Sequence, residues 1–423
     1  MVYGAGTGQI EARLAALVLG SVFAAAAARR AEAAIPMAVL AGLLAGFAAG
    51  AKVTGLLPLG VCGLVVISRR GGLRPALAYG LAGLVAGCQW YGWTWWNSGD
   101  PVFPMLWPLL HYGNGLWDQA QQTYFTDVLR VAESVLPRTP VWWLAYPVYS
   151  SVVDHPIFEA GRTGLGPLPL LLTPLALAGF WSKRRGLAAS ELLTVGVILA
   201  GIYSLWFFFG PSQRVRHLLV LLAPALIILT AAARTLPGLR APLMAAFAAT
   251  LALQMAGAGV FSIKFLRGLG QDRETFLSAN VAGYEAARWI SANLPAQSRV
   301  GTGERQLMYL LDRPSFLLHP VYQAQVELRP GTADEQRFFR QLTAVGITHV
   351  LYESPLTPGE PSPVQGMSEA LIVRGCAVPV RRFPLIRLGS RSLPALSVSK
   401  GSELALIALN PTCPSHSKDS DAK

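Results

Sequence analysis

The sequence predicts a polytopic α-helical membrane protein of about eight transmembrane helices, followed by a small extracytoplasmic α/β domain. Three observations carry that prediction. Hydrophobic residues make up 52% of the 423 and charged residues only 14%, with a mean hydropathy of +0.42. That is too little charge to dress the surface of a soluble protein of this length. Several apolar runs reach the roughly 17–25 residues needed to cross a bilayer. Beyond about residue 262 those runs give way to short, alternating helical and strand patterns.

In chain order, apolar segments fall at 12–28, 36–50, 53–68, 73–96, 166–181, 190–209, 216–233 and 240–260. Between them stand four basic clusters: Arg29-Arg30, Arg69-Arg70 with Arg74, Lys183-Arg184-Arg185, and Arg234 with Arg240. Basic residues beside membrane helices mark the cytoplasmic side. All four clusters fit one alternating topology when 36–68 is a pair of short helices broken near Lys52. Loop 97–165 and everything after about 262 then lie outside. The expected organisation is a transmembrane domain over 1–261, an α/β domain over 262–413 and a polar, disordered tail over 414–423. The net charge of +12 sits largely in the helix-end clusters, and no nucleic-acid motif accompanies it, so nucleic acid is not an expected partner. No basic region precedes a first apolar stretch, and no cleaved signal peptide is expected. No internal repeat is visible.

The stretch GPSQRVRHLLVLLAPAL, from Gly210 to Leu226, breaks the charge pattern. It places Arg214, Arg216 and His217 at the outer end of a helix, against the positive-inside rule. Two readings stand: snorkelling to lipid headgroups, or bidentate recognition of an anion such as phosphate. Arginines at i and i+2 do not share a helical face, so both turn inward only where the helix begins beyond them. Lys52 is a lone cation in an apolar run, flanked by Gly50 and Gly55, and an intramembrane lysine is a functional candidate by default.

The segment WYGWTWWNSGDPVFPMLWPLLHYGNGLW, from Trp90 to Trp117, holds six of the eleven tryptophans. An aromatic belt at the membrane interface explains Trp90, Trp93, Trp95 and Trp96. Asp100, His111, Tyr112 and Asn114 lie among proline-broken apolar residues, the pattern of a re-entrant or interfacial loop roofing a cavity. Gly-Asp-Pro also suits a plain turn at Asp100. Asp154-His155 could begin a metal site, but no third ligand stands at a suitable spacing, and no metal is expected.

In the C-terminal part, 284–295 reads as an amphipathic helix, 298–303 as a strand and turn, and 304–311 as a helix. The apolar run SFLLHP follows, then a helix near 333–345 and a buried strand over 346–353. GTGE at 301–304 is too short to be a nucleotide loop. Cys62 and Cys88 lie in apolar runs as packing residues. Cys376 and Cys413 lie in the C-terminal part, where a disulfide can form if that part is extracytoplasmic.

The order of these features resembles the bacterial GT-C glycosyltransferases, relatives of protein mannosyltransferases and lipid A aminoarabinose transferases. GLLAGFAAGAKVTGLLPL (42–59) is similar to the family's short helix pair with lysine at the break. SGDPVFP (98–104) resembles its G-N/D-P-x-x-P segment, and GLGPLPLLLTPLAL (164–177) its next helix. RVRHLLVLLAPAL (214–226) is similar to its R-x-R-Y-L-L-x-x-x-P element. WISANLP, ERQLMYLLDRP (304–314) and GITHVLY resemble its appended periplasmic domain. The resemblance implies transfer of a sugar from a polyprenyl-phosphate donor, a co-substrate, to an extracytoplasmic lipid, glycan or protein acceptor. It also implies a multi-pass place in a bacterial inner membrane, among membrane lipids, in cell-envelope assembly. The family's first transmembrane helix and acidic first loop have no counterpart here, so the resemblance implies a shortened member whose catalytic base is not identified.

Inverting glycosyl transfer needs a base for the acceptor and positive charge for the departing phosphate. Arg214, Arg216 and Lys52 are the donor-phosphate candidates. Asp100, His111, Tyr112 and His217 are candidates for lining the substrate cavity. A transporter or flippase for a lipid-linked substrate would share the lysine and the arginines, although paired repeats are not seen. A non-catalytic, lipid-binding remnant of the transferase is the third reading.

Overall fold

The computed structural model describes residues 10–111 (less 31 and 70), 117–158 (less 154 and 156), 172–181 (less 180) and 191–234. It also describes scattered positions from 236 to 266, then 268–355 (less 330 and 333), 361–385 and 402–413. The chain divides into two units, Met1–Tyr112 with Asp127–Lys264, and Gly113–Thr126 with Phe265–Lys423.

The first unit is helical: α1 Ile10–Ala27, α2 Ala34–Ala51, α3 Leu56–Ile67, α4 Leu73–Ser98, the end of α5 (Gln119–Glu133), α6 Pro140–Val152, α7 Glu191–Phe209 and α8 Leu219–Ala233. Among the described residues four helical stretches, not eight, are long and apolar enough to cross a membrane: Ile10–Ala27, Ala34–Ala51, Glu191–Phe209 and Val215–Ala233. The reasons for the shortfall are local. After α2 the chain breaks at Lys52 and a 3-10 turn, Val53–Gly55, and α3 has only 12 residues. At 1.5 Å per residue that is about 18 Å, short of a hydrocarbon core of about 30 Å. Helix α4 is long enough, but Arg74, Tyr79, Gln89 and the end WYGWTWWNS dilute its apolar character. Of the spans predicted over 166–181 and 240–260, residues 166–171 and 180 and scattered positions through 240–260 lie outside the described residues.

The apolar helices make this a membrane-associated protein. On α4, Leu77, Leu81, Leu84 and Val85 are each more than half exposed, a face that suits lipid rather than water. The opposite face of α4 meets α2 backbone to backbone. A Cβ at Gly42 would stand 2.2 Å from the Tyr79 carbonyl oxygen, and one at Gly46 would stand 2.3 Å from that of Gly83. Small residues allow such close approach where no water-driven force joins helices. Around the seam, Ala38, Ala41, Ala45 and Ala48 are fully buried. Tyr79 and Tyr91 of α4 donate to the carbonyls of Leu59 (2.6 Å) and Ala49 (2.7 Å), fixing α3 and α2 against it.

The second unit is a substantial β-sheet domain, larger in strand content than the two strands read from the sequence. Its strands are β1 Val300–Thr302, β2 Ser315–Leu317, β3 His349–Pro355, β4 Ala377–Leu385 and β5 Ser402–Leu409, in the order β2-β1-β3-β5-β4. Strand β1 pairs in parallel with β2 and β3, while β5 is antiparallel to β3 and β4. The alternation of a strand with both faces covered is clear. Val350, Tyr352, Ala405 and Ile407 pack with α11 (Glu335–Ala344) and α12 (Pro363–Val373). Leu351, Leu404 and Leu406 pack on the other face with Ala286 and Ile290 of α10 (Tyr284–Asn293), which follows α9 (Arg273–Asn280). Over 304–311 the structure has only a 3-10 turn, Leu307–Tyr309, in place of the predicted helix. A disulfide joins Cys376 and Cys413, Cα atoms 4.4 Å apart, tying the start of β4 to the chain beyond β5.

Candidate functional site

Two ends of the helical unit differ in what their charges touch. At one end Arg29 donates to Ser68 Oγ (2.9 Å), Arg69 to the Ala28 carbonyl (3.1 Å), and Arg30 pairs with Glu191. At the other end α1 begins, α2 stops, and the segment 210–218 enters α8. This second end gathers Lys52, Arg214, Arg216 and His217, residues far apart in sequence.

Lys52 is brought there by the end of α2. Its backbone is extended, and its N–H still donates to the Ala48 carbonyl as the helix closes. The chain then turns so tightly that a Cβ at Gly55 would come within 2.2 Å of the Ala48 carbonyl oxygen, so glycine is required. Lys52 Nζ donates to Glu11 Oε1 at 2.8 Å, and Arg216 Nε lies 3.9 Å from the same oxygen. Glu11, in the first turn of α1, is only 6% exposed. A carboxylate so buried needs charge partners, and the lysine and arginine provide them.

Arg214 is extended and precedes the 3-10 turn Val215–Leu218, with α8 starting only at Leu219. The helix therefore does begin beyond the arginines, and both reach carboxylates. Arg214 forms a two-pronged pair with Glu133, through Nε and through Nη2 to Oε1 at 2.6 Å. Ser212 Oγ adds a bond to Glu133 Oε2 at 2.8 Å. Burial alone would raise the Glu133 carboxyl, but hydrogen bonds from Arg214 and Ser212, with the positive charge of Arg214 and Arg216, hold it below the usual range.

The loop carrying Arg214 is held along its length. Gln213 N–H donates to the Glu133 carbonyl (2.7 Å), and its side-chain amide bonds both the N–H and the carbonyl of Leu136 (2.8 and 3.0 Å). Tyr146 OH donates to the Gln213 carbonyl, and Arg138 to the carbonyls of Phe208 and Gly210. Side chains fixed by such contacts are pre-organised for a ligand.

Beside the charges an apolar groove runs between α1, α3, α7 and α8, lined by Leu14, Pro58, Ile202, Leu221, Trp206 and His217. Two polar atoms in its wall, Trp206 Nε1 and His217 Nδ1, are buried without a hydrogen-bond partner among the described residues. Buried polar atoms normally have partners, and a cavity of about 20 Å³ leaves room beside them for little more than a water molecule.

The remaining candidates stand apart from this cluster. Asp100 is fully buried in the loop after α4, where Oδ1 accepts from Val102 N–H (2.8 Å) and Oδ2 from Leu106 N–H (3.0 Å). Both oxygens thus serve the turn. His111 is exposed, has a positive φ of 48° and sits 5.4 Å from the Trp107 ring. Tyr112 and Asp154 lie outside the described residues; His155 Nδ1 accepts from Ile157 N–H at 3.2 Å. Among the described residues no group of His, Cys, Asp and Glu is arranged to hold a metal.

Glu11 and Glu133 were not among the sequence candidates, yet they organise the site. For Glu11 a signal existed: one acid and one lysine in otherwise apolar helices are natural partners. Compared with protein-family models and with curated protein sequences, the chain matches none of them.

Proposed function

We propose that the chain is a membrane glycosyltransferase that binds a polyprenyl-phosphate-linked sugar at the Glu11–Lys52–Arg216 end of its helical unit. The sugar passes to an extracytoplasmic lipid, glycan or protein acceptor. The supporting observation is the convergence of three cations, Lys52, Arg214 and Arg216, with an apolar groove whose wall holds Trp206 and His217 nitrogens that lack partners among the described residues. Lys52 and Arg216 meet at Glu11, and Arg214 meets Glu133 beside them, so the cations stand close enough together to take a phosphate between them. The isoprenoid lies along the groove once the helices around it part to admit the chain, and Lys52 and Arg216 steady the negative charge that grows on the phosphate as the sugar leaves. The opposite end carries the exposed arginines, which the positive-inside rule assigns to the cytoplasm of a bacterial inner membrane. The Cys376–Cys413 disulfide suits an oxidising compartment for the second unit.

The test uses full-length protein in nanodiscs with undecaprenyl phosphate carrying a radiolabelled sugar. Saturable binding and release of label onto an acceptor are expected, with Arg216→Ala and Lys52→Met each weakening donor binding about tenfold or more. Wild-type binding in both variants would refute the phosphate site. Movement of the intact labelled lipid between leaflets, with its sugar–phosphate bond unbroken, would replace transfer by transport.

A further inference from the structure

The second unit contains a separate cluster that the lipid site does not use. Strand β1 lies between two parallel neighbours, with β2 on one side and β3 on the other. In open sheets of this kind the chain diverges beyond the C-terminal ends of such strands and leaves a crevice there, where ligands bind. The residues that follow β1 and β2 are Gly303-Glu304-Arg305 and Leu318-His319-Pro320.

These two loops are tied together. Leu318 N–H donates to the Thr302 carbonyl (2.9 Å), and Thr302 Oγ1 accepts from Glu304 N–H (3.1 Å). Beyond them, Gln323 braces its own turn, donating to the carbonyls of His319 (3.3 Å) and Val326 (2.9 Å) and accepting from Val326 N–H (2.9 Å). Gln121 reaches in from the segment 113–126 of the same unit to bond the Pro320 carbonyl at 2.8 Å. The backbone is therefore set before any ligand arrives.

On this frame sits a stack of three side chains. The His319 ring is 4.5 Å from the Tyr322 ring, and the Arg305 guanidinium lies 5.0 Å from the same ring on its face. Tyr322 is 52% exposed and Tyr309, on the turn after β1, is 91% exposed. Arg305 has no carboxylate partner among the described residues, so its fork of donors remains available. His319 Nδ1 accepts from Val321 N–H (3.1 Å), which leaves the proton on Nε2 as a donor. Burial and the nearby Arg305 charge hold the His319 pKa below its ordinary value, so the ring is neutral at pH 7.

We propose that this cluster is a carbohydrate-binding site for a sugar bearing an anionic substituent, either a carboxylate or a phosphate monoester. The part of the Tyr322 ring left open beside His319 and Arg305 packs against the sugar, Arg305 takes the anionic group, and His319 Nε2 donates to a ring or hydroxyl oxygen. Stacking gives tolerance of the ring, and the arginine fork gives the preference for charge. The site is independent of the lipid-phosphate reading, because its residues lie in the other unit.

Isothermal titration of the full-length protein in nanodiscs tests it, with four probes: a glucuronate oligomer, glucose 6-phosphate, a neutral glucan oligomer and inorganic phosphate. Saturable binding of one or both anionic sugars is expected, at least about tenfold tighter than the neutral glucan, and which one binds identifies the anionic group. Arg305→Gln should erase that preference. Tyr322→Ala should weaken all sugar binding, while Tyr322→Phe, which keeps the ring, should not. Equal affinity for inorganic phosphate and the anionic sugars would reduce the cluster to a simple anion site and overturn the proposal. So would an unaltered Tyr322→Ala, or the absence of binding by every sugar. Donor binding in the Arg216→Ala protein is read separately, so failure at one site leaves the other result standing.

Discussion

Both ends of the helical unit carry ion pairs between a basic side chain and a glutamate, and the two ends use them differently. In the Arg30–Glu191 pair the side chains are 70% and 40% exposed; in the Lys52–Glu11 pair they are 24% and 7% exposed. Water can serve the first pair if it separates. The second has few other partners, so its members depend on one another. The difference teaches that the same chemical pairing is optional at one end and obligatory at the other, with burial deciding which.

The comparison can be broken most sharply at Glu11. Glu11→Gln leaves Lys52 without its partner, a change that costs about 3–5 kcal/mol when a buried pair is cut. A large fall in thermal unfolding temperature in nanodiscs is expected, partly recovered when Lys52→Met is added. Wild-type stability of the single variant would show that the pair is solvated after all. A smaller effect is expected at Glu133. Its carboxyl titrates below the ordinary 4.5 in the folded chain, so it adds stability above that pH and loses it as the pH falls through the depressed value. Glu133→Gln should cost about 1.5–3 kcal/mol at neutral pH, and the loss should shrink as the pH is lowered below about 4.5. A penalty that stays constant down to pH 3 would contradict the assignment. The smallest effect belongs to the exposed end. Arg30→Ala should change stability by about 1 kcal/mol or less, measured in the same unfolding assay. A loss matching that of Glu11→Gln would erase the distinction between the ends.

Much of the helical unit is legible because its signals are local. A lone Lys52 between glycines marks a break in the helix, and the arginine clusters mark one end. What is not legible depends on contacts between distant segments. Glu11 meets Lys52 across 41 residues and Glu133 meets Arg214 across 81, distances at which no periodic pattern operates. Glu11, in the first turn of α1, otherwise reads as an ordinary macrodipole partner. In the sheet domain, β4 is AVPVRRFPL, with two prolines and two arginines. Such residues are tolerated because β4 is an edge strand, paired among the described residues with β5 alone, but in the sequence they give no strand signal. Strands β1 and β2 have three residues each, too few for alternation to declare itself. The tyrosine–arginine cluster that follows them was likewise invisible, since it depends on two loops that only the sheet brings together.

The glycine seam between α2 and α4 has a mechanical consequence. Where carbonyl oxygens lie against Gly42 and Gly46, no side chain can swing aside, and the two helices behave as a single slab. Across the groove the contacts are of another kind: Val61 of α3 faces Gly201 of α7 through its methyl groups, and α8 contains Pro224, which removes one internal hydrogen bond. Rotamer changes there are fast and inexpensive compared with prising backbones apart. A long-chain lipid entering sideways would therefore pass on the α3–α7–α8 side, with the α2–α4 slab as the fixed wall against which the rest of the bundle opens.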